Sequence, residues 1–360
     1  MKKNLLISIL FTVLIAACVK TQAPTAVPAT SEPKEPQALT VITHDSFSVS
    51  ESLIAQFEAQ NNVKITFVKG GDAGSALNRL ILTAASGSAS ADVFYGLDNT
   101  FLSRALEQDL FEAYQSPALK DVPSEFQLDP SLRVTPIDYG DVCINYDKQY
   151  FADNGLPLPE SLAQLHDPTY YKMLVVENPA TSSPGLAFLM TTVAAFGEDG
   201  WLDWWAAMKE NGVVVVSDWE TAYYTNFSGS SGRGPQPMVV SYASSPAAEL
   251  IYSDPKPEEA PTSSLVGDNM CWRQIEFAGI LKGTQHRAMA EKFIDFLLSQ
   301  TFQEDMPLQM FVYPVLNGAA LPEDFVKASD TPSLAATLDP QLIAEKRDAW
   351  VQAWSDLMLK

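Results

Sequence analysis

The sequence predicts an α/β protein built as two lobes hinged around a cleft, and three observations carry that expectation. β-rich runs alternate with helical patterns along most of the chain, which is the signature of a largely parallel sheet. Residues 39–360 make a stretch of 322 residues, more than one compact core usually holds. Two extended runs, 138–146 and 273–281, each lead out of one set of alternating elements into another. Crossings of that kind form a hinge, and clefts between hinged lobes are favoured sites for small molecules.

The elements follow in order from the N-terminus. Met1-Lys2-Lys3, an apolar run over 5–17 and small residues before Cys18 describe an export signal, residues 1–17, too short to persist as an ordinary membrane helix. Ile15-Ala16-Ala17-Cys18 fits a bacterial lipobox, so Cys18 is expected to be the lipid-modified first residue of the mature chain; plain cleavage beside an incidental Cys is the alternative. Residues 18–38 are rich in Pro, Thr, Ala, Glu and Lys and cannot bury enough surface to offset ordering, so they read as a flexible tether. Lobe 1 is expected over 39–138, with strands at 39–43, 63–68 and 91–96 and helices near 49–60, 75–85 and 100–108. Lobe 2 is expected over 139–273, with strands at 173–177, 212–216 and 238–242 and helices at 186–196, 201–208 and 246–251. The Gly/Ser/Pro segment 228–237 reads as a surface loop, and 274–360 returns to lobe 1 with a helix at 286–299.

Composition narrows the function. The formal charge is -21, and loss of Lys2 and Lys3 with the signal makes it -23. A chain this acidic argues against nucleic acid or an anionic bilayer as a partner, and it suits a cationic small molecule. Three His residues without a Cys/His cluster of ligand spacing argue against a structural metal. No G-x-S-x-G, H-E-x-x-H, phosphate loop or dinucleotide fingerprint is present, and Glu258-Glu259 in a Pro-rich loop reads as solvated charge, so no enzyme is expected.

Candidate binding residues sit at strand-to-helix turns. Thr181-Ser182-Ser183-Pro184-Gly185 precedes an apolar helix, with Ser183 suited to the N-cap and Pro184 to the first helical position. Free N–H groups and hydroxyls there would make an anion pocket, and Ser244-Ser245-Pro246 is a second such turn. Trp219, Tyr223, Tyr224, Tyr242, Trp272, Phe311 and Tyr313 lie near strand ends, where rings could stack on a flat or cationic ligand. Asp45, Asp72 and Asp98 follow the first three strands, where open sheets bind ligands; Asp98, before Asn99-Thr100, is the best candidate for a helix cap.

In order along the chain, several segments carry a resemblance. These are Thr43-His44-Asp45-Ser46-Phe47, Ser75-Ala76-Leu77-Asn78-Arg79-Leu80, Gly96-Leu97-Asp98-Asn99 and Asp138-Tyr139-Gly140. Tyr146-Asp147-Lys148, Thr181-Ser182-Ser183-Pro184-Gly185-Leu186, Trp219-Glu220-Thr221-Ala222-Tyr223, Ser244-Ser245-Pro246 and Tyr313-Pro314-Val315 continue it. Over some 320 residues the chain resembles the periplasmic thiamine-binding protein family of ABC importers. The resemblance implies a type II periplasmic-binding-protein fold with hinge strands and an inter-lobe cleft. It also implies thiamine or its phosphates as ligand, no cofactor and ABC permease subunits as partners; with the lipobox at Cys18, the expectation is a monomeric, extracytoplasmic binding protein held to the membrane by its lipid alone. By the same resemblance Asp72 would meet the aminopyrimidine, Ser182 falls in the turn that receives phosphate, and Trp219 and Tyr242 are cleft positions.

The chain departs from the family pattern at His44 and Ala248, where tyrosines are expected, and at Phe311, where a tryptophan is. These losses remove donors for phosphate or a ring for the cation, and open a changed preference. Cys143 and Cys271 fall on or beside the two crossing runs and would be bonded if those strands are neighbours. Three rival readings remain: a ferric iron protein using Tyr223-Tyr224, a polyamine binder using Asp72 and the rings, and a thiaminase-like enzyme with Cys143 as nucleophile.

Overall fold

A computed structural model of the chain describes residues 35–84, 91–231 and 233–360. The expected signal and Cys18 lie outside the described residues. The chain runs β1 (Gln37–Thr43), α1 (Glu51–Asn61), β2 (Val63–Lys69), α2 (Ala73–Ala84), β3 (Val93–Asp98), α3 (Leu102–Glu107), β4 (Phe111–Glu112) and β5 (Thr135–Asp147). It continues α4 (Lys148–Asp153), β6 (Leu174–Glu177), α5 (Ser183–Glu210), β7 (Val214–Val216), a π-helical turn (Thr221–Asn226), β8 (Met238–Tyr242), α6 (Pro246–Tyr252), β9 (Thr262–Leu265) and β10 (Trp272–Leu281). The C-terminal elements are α7 (Arg287–Leu297), α8 (Gln300–Gln309), β11 (Tyr313–Pro314), α9 (Glu323–Ala328) and α10 (Pro340–Met358).

The sheet order is β2-β1-β3-β10-β5-β8-β6-β7. Two parallel triads, β2-β1-β3 and β8-β6-β7, are bridged by β10 and β5, which run antiparallel to each other and to their outer neighbours. The architecture is thus a two-lobed α/β fold with two long connecting strands. Within the triads β3 and β6 are buried along their whole length, as strands covered on both faces must be. The connecting strands are pinned to each other: Arg273 on β10 donates two hydrogen bonds, 2.6 and 2.9 Å, to the buried carboxylate of Asp141 on β5, and stacks over Tyr139. Cys143 and Cys271 form a buried disulfide at the same junction, with Cα atoms 4.4 Å apart.

Local departures from the expected boundaries have identifiable causes. β1 starts at Gln37, inside the stretch read as tether, because Gln37 pairs with Val63 and its N–H reaches the Asn62 carbonyl. The N-cap of α5 is Ser182 rather than Ser183, with Pro184 at the second helical position. Gly197, at φ 71° and ψ 171°, breaks α5 into the two helices read from the sequence. The C-terminal helix α10, expected with lobe 1, seats its buried Trp354 edge-on against Trp205 of α5 while Arg347 reaches Ser103 in α3, so it braces both halves.

Candidate ligand-binding cleft

Turns from both triads meet over the connecting strands and line a cavity. One side is carboxylate. Asp138 and Glu276 occupy directly opposed positions on β5 and β10, and with Gly140 and Gln274, two residues further along each strand, they present one face to the cavity. Opposed like charges destabilise a strand pair; here Asp138 and Glu276 hydrogen-bond to each other, which requires a shared proton. The Tyr95 hydroxyl from β3 donates to Asp138, and His44 Nε2, after β1, lies 3.4 Å from Glu276. Burial, reinforced by the Glu276 charge, holds the Asp138 carboxyl far above its ordinary range. Burial likewise lifts Glu276 to about 8 and holds the His44 imidazole below its ordinary value.

Two glycines make this packing possible. Gly96 bulges out of β3 at φ 109°, and the His44 ring lies 2.7 Å from where its Cβ would stand. Gly140 lets the Tyr242 ring lie against β5, since a Cβ there would stand 2.7 Å from that ring.

The opposite wall is aromatic. Trp219 stacks on Tyr223, with ring centroids 5.0 Å apart and planes 20° apart, and Tyr224 meets Trp219 edge-on. The indole N–H donates to Ser241 Oγ at 2.9 Å, and the Tyr242 hydroxyl accepts from Gln274 Nε2 at 2.9 Å. Phe311 closes one end; its backbone sits in the left-handed region at φ 56°, where the Ser244 hydroxyl holds its carbonyl at 2.5 Å.

Asp72 ties the halves together. Its carboxylate accepts from Ala73 N–H at 2.7 Å on its own side and from Trp219 N–H at 3.1 Å on the other. The Thr181 carbonyl accepts from Ser75 N–H at 3.1 Å, and the Ser183 hydroxyl donates to Asp98. The halves therefore touch across the cleft, as in the closed state of a hinged binding protein.

Of the residues singled out in the sequence, Asp72, Ser183, Trp219, Tyr223, Tyr224, Tyr242, Ser245 and Phe311 line the cavity. Four others stand elsewhere. Asp45 turns away to accept the Gly71 N–H at 3.0 Å, bracing the turn before α2. Ser182 is fully buried as the N-cap of α5. Gly185 is a packing position, because a Cβ there would stand 2.6 Å from the Glu177 carbonyl oxygen. Trp272, buried at the head of β10, pairs with Val142 outside the cavity. Asp98 accepts from both the backbone and hydroxyl of Thr100 in the turn ahead of α3; the N-cap of that helix is Phe101, so Asp98 orders the turn and does not cap the helix as read. Asp138, Gln274 and Glu276 were not anticipated; their one sequence signal is polar residues at alternate positions in otherwise apolar connecting strands.

The rival chemistries also meet the structure. Cys143 is bonded to Cys271, so it has no thiol to act as a nucleophile. Tyr223 is buried beneath Trp219 and directs its hydroxyl toward the Ser245 carbonyl, and no group of three or more His, Cys, Asp or Glu is arranged to hold a metal among the described residues.

The model of the bacterial extracellular solute-binding protein family matches residues 88–351. The chain belongs to this family. It is 30% identical over 335 residues to the thiamine-binding periplasmic protein of Salmonella typhimurium, covering 91% of this chain and 94% of that one. It is 30% identical over 321 residues to the thiamine-binding periplasmic protein of Escherichia coli, covering 88% and 92%. Among solved structures, a periplasmic thiamin binding protein superposes with a TM-score of 0.78 at 26% identity, covering 91% of this chain and 98% of that one. A member of the family binds a solute outside the cytoplasm.

Proposed function

We propose that this protein captures thiamine in the cleft between its lobes and delivers it to the permease of an ABC importer. The observation that carries the reading is the pairing of a carboxylate face, Asp72, Asp138 and Glu276, with a stacked indole wall in one cavity. A positively charged flat ring satisfies both at once: the carboxylates offset its charge, and Trp219 offers cation–π and stacking contact of ~1 to 2 kcal/mol when desolvated. Asp72 is placed to accept from an exocyclic amine while it also holds Trp219, so ligand contact and lobe closure draw on one group. The named activity of the relatives supports the same ligand. A polyamine would meet the carboxylates but leave the indole without a ring partner.

The finer organisation belongs to the same proposal. Lobe 1 comprises 39–138 and 274–360, lobe 2 comprises 139–273, and hinge bending of β5 and β10 opens the cleft. Cys18 carries the lipid that tethers the monomer to the membrane, the chain performs no catalysis, and neither nucleic acid nor a metal takes part. Native mass spectrometry of the exported protein, followed by calorimetric titration with thiamine, tests the function. Recovery of thiamine as the bound species, or tight saturable binding to emptied protein, is expected. No heat with thiamine, together with heat on adding spermidine or a yellow-red band on adding ferric iron, would replace the reading with one of its rivals.

A further inference from the structure

Resting on the capture reading, we propose that Tyr252, which lies outside the ligand cavity, is a positioning residue that bolts the mouth of the cleft and sets how long thiamine stays bound. Tyr252 ends α6, in the half built on β8, and is 63% exposed, so burial does not account for its place. Its hydroxyl donates to the Leu308 carbonyl of the other half at 2.9 Å, its one hydrogen bond among the described residues. Leu308 lies in the last turn of α8, where backbone carbonyls have no donor inside the helix. Tyr252 thus supplies from one half what the end of a helix in the other half lacks. Its ring also meets Phe311 edge-on, with centroids 5.7 Å apart.

α8 is held firmly on its own side. Asp305 accepts from the N–H and hydroxyl of Ser50, ahead of α1, at 2.8 and 2.5 Å, and Gln309 bonds Ser48 and Ser50. From the end of α8 the chain runs through Met310, Phe311 and Val312, which line the cavity, and is fixed again where β11 pairs with β5. This strap is gripped from the opposite half twice, by Tyr252 at Leu308 and by Ser244 at the Phe311 carbonyl. The grip matters because Phe311 sits at φ 56°, a conformation that a bulky residue avoids unless its surroundings impose it. When the halves part, the Leu308 carbonyl and the Tyr252 hydroxyl turn to water, so their bond favours the closed state alone. Ligand enters before that bond forms and leaves only after it breaks, so its loss acts on dissociation rather than association.

The test compares wild type with Tyr252→Phe, which keeps the ring against Phe311 and deletes the bond. Calorimetry gives Kd for thiamine, stopped-flow tryptophan fluorescence gives kon, and their product gives koff. The variant is expected to release thiamine about 2- to 10-fold faster, with kon and the urea stability of the ligand-free protein unchanged. A tyrosine that serves only its own helix would instead lower ligand-free stability and leave koff alone. Wild type that binds thiamine, with a variant koff within about 1.5-fold of it, would overturn the bolt and leave capture intact. Wild type that binds no thiamine would refute capture, and the bolt with it.

Discussion

Replacing Asp72 with Ala separates ligand binding from fold stability, because this carboxylate makes one bond within its own half and one across the cleft. Within its half it accepts from Ala73 N–H at the start of α2, a local contact at the helix end worth about 1 kcal/mol of stability in any lobe arrangement. Across the cleft it accepts from Trp219 N–H, an interaction available only when the halves meet. In the open state that N–H is free to bond water, so losing Asp72 penalises the closed state selectively and lowers the population competent to hold ligand. A hydrogen bond to a charged group contributes about 1.5 to 3 kcal/mol, which predicts a loss of roughly 10- to 150-fold in thiamine affinity. Asp72→Asn retains a carbonyl oxygen for Trp219 but not the charge, and its affinity should fall between wild type and the Ala variant. Isothermal calorimetry reads the affinities, and urea denaturation of the ligand-free proteins reads the local contact. If Asp72→Ala lost about 1 kcal/mol of stability but bound thiamine within twofold of wild type, Asp72 would be a local contact alone and the latch argument would fail.

Three further outcomes are expected. Glu276, lifted by burial to about 8 from an ordinary 4.5, keeps a proton in the folded protein that the unfolded chain releases, so ligand-free stability should fall as pH rises from 4.5 to 8. The cation favours the ionised form, so thiamine affinity should rise over pH 6 to 9 with net proton release, as His44, Tyr95, Asp138, Asp98 and Asp72 surround the group; affinity flat in pH, or lower at high pH, would contradict this. Removing the Cys143–Cys271 bond by substituting both with Ala frees a loop spanning 128 residues, for which chain entropy predicts a loss of up to about 5 kcal/mol; a loss under about 1 kcal/mol in guanidinium denaturation would show that the bond adds little. Gly140→Ala brings a methyl to within 2.7 Å of the Tyr242 ring and should cost about 1 to 3 kcal/mol, with weaker thiamine binding, whereas unchanged affinity would mean that Tyr242 does not shape the cavity.

Much of the fold was legible because its signals are local. β8 begins at Met238 and ends at Tyr242 as read, a β-rich run bounded by a Pro-rich segment and a Ser-Ser-Pro turn. The break between the two helices of α5 follows from Gly197 reaching φ 71°, which glycine adopts freely. The cap of α5 was misplaced by one residue because Ser182 and Ser183 are equivalent in sequence; contact of Ser183 with Asp98, 85 positions away, decides between them.

Local chain chemistry settles the alternating α/β class, the two connecting runs and the presence of aromatic and acidic turns, since periodicity and turn propensity act over a few residues. Long-range packing settles which of those groups face the ligand. Asp45 and Asp72 occupy similar turns, yet one braces Gly71 while the other reaches Trp219. Asp138 and Glu276 lie far apart in the chain and become a single acidic centre only through the register of β5 on β10. That register depends on pairing energies summed along both strands and on packing between the halves, and neither is written in the neighbourhood of either residue.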